Sequence, residues 1–209
     1  MNRCAWVAAA LVAMSGCGGG LLQSDGPPER IYTLRAAPSS PLHGAEPLDV
    51  RLSVARPRVA PGLASERIAV RTGQHELDYY EGARWGDGAA VVVQSFLVDS
   101  LRQSGAFALV SSQAAPVAAN YLLDLELRDF QAEQEGDAAP VARVAFVATL
   151  IEIGSRRALA SFDVVAEAPA AVNRLSAVVD AIERAAHEAA TELTRRLENA
   201  LRQSGAAPT

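Results

Sequence analysis

No lysine occurs among the 209 residues; all nineteen basic side chains are arginine. That bias is compositional and marks no site. The formal net charge is −5, which argues against a nucleic-acid ligand, because phosphate backbones select basic surfaces. Cysteine stands only at positions 4 and 17, on either side of the first apolar stretch. The rest of the chain therefore folds by burial alone, without a disulfide. Histidine is scarce and scattered (His43, His75, His187), so a transition-metal site is not expected. His187-Glu188 opens a zinc-protease-like pattern, but position 191 is Thr191 and the second ligand is missing. There is no G-x-S-x-G elbow and no P-loop. Gly86 and Gly88 lack the third glycine and the long preceding strand of a dinucleotide loop. Asp124 and Glu126 share one strand face, where carboxylates are ordinarily just solvated. Neither enzymatic activity nor a cofactor is expected.

Long apolar runs are also missing at the amino terminus. Ala5 to Met14 is unbroken for ten residues, half of the about 20 that a membrane-crossing helix needs. A basic start at Arg3, a short apolar centre and the small-residue exit Ser15-Gly16-Cys17 have the layout of a secretory leader. The register of small residues and cysteine at the end of that run resembles the bacterial lipobox, with Met14 in place of the usual leucine. The resemblance implies cleavage before Cys17 and acylation of its sulfur and freed amine. Each buried methylene then contributes about 0.8 kcal/mol, and two or more chains hold firmly where one does not. Gly18 follows the cysteine where lipoproteins kept at the inner membrane tend to carry aspartate, which implies the outer membrane. Four segments are expected: a leader over 1–16, the lipidated Cys17 with a flexible linker over 17–29, one domain over 30–203, and a disordered tail over 204–209.

Half of the chain is apolar and about a fifth charged, which predicts one globular domain with a substantial core. Ile31-Tyr-Thr-Leu34 is a strand candidate. Leu48, Val50, Leu52 and Val54 alternate with polar residues, the period-two signature of a strand with one wet face. Arg67–Val70 and Glu76–Tyr80 flank Thr72-Gly73-Gln74 as a hairpin, followed by a glycine-broken segment from Gly82 to Gly88. Ala89, Val93, Phe96, Leu97 and Leu101 recur at helical spacing, with Asp87 placed to cap the start and Gly105 to end the helix. Phe107–Val110 and Tyr121–Leu127 are further strands, and Glu133–Ala139 a charged turn. Val141–Ile153 is apolar on both alternations and reads as a central strand covered on both sides. Gly154-Ser155-Arg156 turns the chain into Leu159–Glu167. Leu175, Val179, Ile182, Ala186, Ala189, Leu193, Leu197 and Leu201 form one stripe of an amphipathic helix of about 30 residues. This order predicts an α/β fold, a single sandwich-like domain with a mixed β-sheet and two main helices packed on it.

Tyr79, Tyr80 and Trp85 are the densest aromatic group in a chain with 5% aromatics. Composition favours burial; a contact site for a partner or an acyl chain is the sharper alternative. The residues around them carry a resemblance. Tyr32-Thr-Leu34, Ala60-Pro-Gly-Leu63, Glu66-Arg-Ile-Ala-Val70, Glu76 to Trp85, LRQSGAF (Leu101–Phe107), LELRDF (Leu125–Phe130) and the closing alanine-rich helix together resemble the ABC-type transport auxiliary lipoproteins. Gly86-Asp87-Gly88 stands where family members often have proline. The resemblance covers about residues 30–203. It implies an α/β fold, no catalytic residues, and an outer-membrane-anchored, periplasmic role. The implied partner is the MCE-domain periplasmic protein of a system moving phospholipids or other hydrophobic molecules between the two membranes; room is left for a homo-oligomer. The alternative is a lipoprotein that assembles or activates another envelope machine, such as a secretin or a cell-wall synthase.

Overall fold

A computed structural model describes residues 29–36 and 46–205, which form nine strands and two α-helices. In chain order these are β1 (Arg30–Tyr32), β2 (Leu48–Val54), β3 (Arg58–Val59), β4 (Arg67–Thr72), β5 (Glu76–Trp85), α1 (Ala89–Gln103), β6 (Phe107–Ser112), β7 (Tyr121–Gln134), β8 (Val141–Glu152), β9 (Arg157–Pro169) and α2 (Leu175–Gln203), with a 3-10 turn at Pro61–Leu63. The expected leader, the lipid-bearing Cys17 and most of the linker lie outside the described residues, as do His43 and residues 206–209.

β7 is the spine of the sheet. One of its edges is paired along its whole length with antiparallel β8, and β8 in turn with antiparallel β9. Its other edge takes three parallel strands in succession: β2 at Tyr121–Leu123, β3 at Glu126–Leu127 and β4 at Gln131–Gln134. From there the sheet divides into two arms, β2–β6 and β4–β5–β1. A bulge between Leu127 and Asp129 in β7 separates the pairing of β3 from that of β4, which bends the spine where the arms diverge.

Both helices join one buried cluster with a single face of this sheet. Leu123, Leu125, Leu127 and Phe130 of β7, Val144, Phe146 and Leu150 of β8, and Leu48, Val50, Leu52 and Val54 of β2 line that face. All five apolar positions expected on α1 are buried. On α2 the expected stripe is buried except for half-buried Leu175, and Val178, Ala181, Ala185 and Ala190 are buried beside it. The face is wide because α2 packs on β8 and β9 and also touches α1, and its alanines allow close approach on both sides.

Local chemistry explains the ends and departs from expectation in places. Gly105 has φ +66 and follows Ser104, whose Oγ donates to the Leu101 carbonyl at 2.7 Å, so α1 stops as expected. Asp87 does not cap α1: the N-cap is Gly88 without a side-chain bond, and Asp87 Oδ1 accepts from the Gly88 N–H at 2.7 Å instead. β5 runs on past Tyr80 to Trp85, because the glycine at 82 makes a bulge within the strand and does not end it. β8 is central in the ladder as expected, but its second face is not buried in a second layer; Arg143, Val147, Thr149 and Ile151 there are half-buried, and only Ala145 is fully covered.

Candidate functional site

The corner where β1, β5 and the start of α1 meet carries the aromatic group, and it is where the chain arriving from the linker joins the domain. Between Ala69↔Tyr79 and Arg67↔Arg84, Ile68 alone of β4 faces four residues of β5, Tyr80 to Ala83. Gly82 turns this bulge with φ +63, a conformation that side chains rarely adopt. The bulge sets the three aromatics in different environments. Trp85 is 1% exposed and lies 5.0 Å from the Phe130 ring; it is core, as composition favours. Tyr79 is half-buried, donates its hydroxyl to the Gly62 carbonyl at 2.7 Å and carries the Arg67 guanidinium 4.0 Å above its ring. Tyr80 is also half-buried, and its hydroxyl is enclosed with no hydrogen-bond partner in the protein. Burial pushes its phenol above the usual tyrosine range. Of the three, only the two tyrosines present surface.

Arg84 ties this corner together. Its guanidinium meets Glu29 at 3.0 Å, Glu66 at 2.7 Å and the Trp85 carbonyl at 3.2 Å. Glu29 is the last residue of the expected linker, so Arg84 joins the linker's end to β4 and β5. Among the described residues β1 pairs with a single strand, in parallel with residues 83–85 of β5, extended by the Gly86 N–H donating to the Tyr32 carbonyl at 2.8 Å. Beside it lies an open, mainly apolar cleft of about 260 Å3 lined by Thr33, Leu34, Asp87, Val91, Val92 and Ser95, with Ile31 58% exposed. The sequence signal that could have found this geometry is the glycine at 82, since a glycine inside a strand pattern can mark a bulge, although it reads equally as a break. Nothing in the sequence pointed to Arg84 as the hub.

The sheet face turned away from the helices is polar and arginine-bridged. Asp129 accepts from Arg71 at 3.1 Å and Arg143 at 3.0 Å. Arg143 also pairs with Glu167 and reaches Glu133 at 3.9 Å. Gln131, 1% exposed, turns its amide oxygen to Arg71. Asp124, expected simply to be solvated on one strand face with Glu126, is gripped by Arg58 through both carboxylate oxygens, at 2.8 and 3.1 Å, while Glu126 meets Arg128 at 3.4 Å. His75 is exposed at the β4–β5 turn. His187 packs edge-on against Phe96 with its Nε2 3.7 Å from Glu183, and Thr191 donates its hydroxyl to the His187 carbonyl. Among the described residues no group of three or more His, Cys, Asp or Glu could hold a metal ion, and no helix is long and apolar enough to cross a membrane.

The family model described as "ABC-type transport auxiliary lipoprotein component" matches residues 32–194, from the end of β1 to the middle of α2. A crystal structure of a Xanthomonas campestris protein of the DUF330 family is 27% identical, with a TM-score of 0.75 over 85% of this chain and 99% of that one. A second crystal structure, of an uncharacterised protein, shares the fold at 13% identity, with a TM-score of 0.64 over 82% of this chain and 99% of that one. No match was found among curated proteins.

Proposed function

The chain belongs to the ABC-type transport auxiliary lipoprotein component family, and from that premise we propose that it is an outer-membrane-anchored periplasmic docking component of an ABC transport system. The observation that carries this reading is the family match across nearly the whole folded body, preceded in the sequence by the lipobox-like Cys17 and only twelve residues, 18–29, before β1. A linker of that length has a root-mean-square reach of about 20 Å. It holds the β1–β5 corner close to the bilayer that carries the acyl chains, while the remaining surface reaches into the periplasm.

In this role the chain supplies position. The energy for transport comes from the ATPase of the system. The partner that this lipoprotein meets in the periplasm is an MCE-domain protein, and the cargo is phospholipid or another hydrophobic molecule. The half-exposed tyrosines of the β5 bulge and the cleft beside β1 are the contact residues we assign to docking.

Two experiments test this. Cells grown with an alkyne palmitate analogue are expected to label the wild-type chain and leave Cys17→Ala unlabelled, with the labelled form in the outer-membrane fraction of a density gradient. A tagged lipoprotein extracted in detergent is expected to bring down an MCE-domain protein with its permease and ATPase. Labelling without that capture, from cells that express such a system, would keep the anchor and overturn the transport role. Capture of secretin or cell-wall-synthase subunits instead would replace it.

A further inference from the structure

Outer strands of an open sheet expose amides and carbonyls that template pairing with another chain. Two such strands here are β6, which pairs only with β2, and β9, which pairs only with β8. On both, a helix arginine reaches a strand carbonyl. Arg102 Nε of α1 donates to the Val110 carbonyl of β6 at 2.8 Å. On β9 there are two: Arg196 Nη1 donates to the Asp163 carbonyl at 3.0 Å, and Arg184 Nη2 to the Pro169 carbonyl at 2.6 Å.

The two contacts on β9 form a matched pair. Residues 163 and 169 are an even number apart and share the outward-pointing register with Val165 and Glu167. Pro169, which has no N–H to offer, occupies a position tolerated only on an outer strand. From 163 to 169 the strand spans about 20 Å. Arg184 and Arg196 are separated by about 18 Å along the axis of α2, which runs opposite to β9, so each arginine meets one end of the same edge. Arg196 is aimed by Glu192, which accepts its Nε at 2.6 Å and two further bonds from Arg195. Between the two ends lies an open cleft of about 400 Å3 lined by Val165, Glu188, Thr191, Glu192 and Arg196, with Val165 53% exposed.

We infer that Arg184 and Arg196 close the β9 edge against a second copy of this chain. An antiparallel β9–β9 pair about a two-fold axis near Val165 would need the outward groups of residues 163 to 167, and one shifted by a residue would reach 169. The Asp163 carbonyl stands at the ends of the first ladder, and the Asp163 and Pro169 carbonyls stand at the ends of the shifted one. A second copy is the competitor that matters, because anchoring through Cys17, as proposed above, would concentrate copies on one membrane surface; the clasp itself is independent of that reading.

The test uses the full chain with its anchor, purified in detergent. Arg184→Met/Arg196→Met keeps the aliphatic stems and removes the donors. Sedimentation velocity over a concentration series is expected to show self-association tightened by roughly tenfold or more relative to the parent, with hydrogen exchange at Val165 and Glu167 slowing as concentration rises. Adding Val165→Pro, which removes the N–H at the centre of the seam, is expected to restore parent behaviour. The two single methionine variants open one end each and serve where the double variant does not fold. Parent-like sedimentation of the folded methionine variants, or association that survives Val165→Pro, overturns the inference.

Discussion

Trp85→Ala separates a core residue from a contact residue. The indole is 1% exposed, lies 5.0 Å from Phe130 and sits on the strand that carries β1 on one side and β4 on the other. Truncating a buried tryptophan costs about 3–5 kcal/mol through lost transfer energy and the cavity left behind. The ring pair with Phe130 supplies about 0.5–1.5 kcal/mol of this kind of loss. For a domain of this size 1 kcal/mol moves Tm by about 2–4 °C, so the expected drop is roughly 6–20 °C. Trp85→Phe keeps a ring against Phe130 and is expected to recover more than half of it. Differential scanning calorimetry of the full chain reads both values. Hydrogen exchange should show the Gly86 amide, bonded to Tyr32, opening first, because β1 has no other strand to hold it. A Trp85→Ala protein that melts within about 2 °C of the parent yet loses its partner in a pull-down would refute the core assignment.

The neighbouring tyrosines should respond with opposite signs. Tyr79→Phe strands the Gly62 carbonyl and is expected to cost about 0.5–1.5 kcal/mol, whereas Tyr80→Phe deletes a hydroxyl that has no partner and is expected to be neutral or stabilising; urea unfolding measures both. Arg156 holds φ 55 in the β8–β9 turn, so Arg156→Gly is expected to raise stability by about 0.5–1 kcal/mol by relieving left-handed strain, read from the same urea midpoints. Glu192 is held down to about 2 from 4.5, chiefly by its hydrogen bond from Arg195 and then that from Arg196. A carboxyl lowered on folding stabilises above its unfolded value and loses that stabilisation as pH falls toward its folded value. The pair is partly exposed, so Glu192→Gln should cost about 0.3–1 kcal/mol near neutrality; the gap to wild type should shrink as pH drops through 4.5 toward about 2.

The elements were legible where alternation was clean. The heptad-like stripe of α2 and the alternating leucines of β7 state which side is buried, and the hairpin at Gly73 declares its turn. What the sequence hid was non-local. β3 is two residues long and exists because β7 offers an unpaired stretch at Glu126–Leu127; no propensity in Arg58-Val59 announces it. The continuation of β5 to Trp85 was masked by Gly82, whose positive φ reads as a break until a partner strand is present to turn it into a bulge. β8 looked buried on both sides because valine, alanine and isoleucine dominate both alternations. Its second face is instead crossed by ion pairs, Arg143 reaching to Asp129 and Glu167, and its apolar residues other than Ala145 stay half-buried. Of the candidate site, the aromatic cluster was visible, but the division into one core ring and two surface rings depended on the bulge.

The absence of lysine, which carries no information as composition, has a structural consequence once the fold is known. Arginine offers five donors in a planar fork, so one side chain can bind a carboxylate and a carbonyl at once. Arg84 does this with Glu29, Glu66 and the Trp85 carbonyl, and Arg196 with Glu192 and the Asp163 carbonyl. A lysine ammonium, a point charge on a flexible stem, could satisfy either partner but would not fix the angle between them. Both the corner that receives the linker and the clasp on β9 are therefore built on forks that aim neighbouring backbone. Arg84→Lys would then keep charge but loosen β1, and faster exchange at the Gly86 amide with an unchanged global melting temperature is the result this argument requires; an unaltered exchange rate would show that charge alone holds the corner.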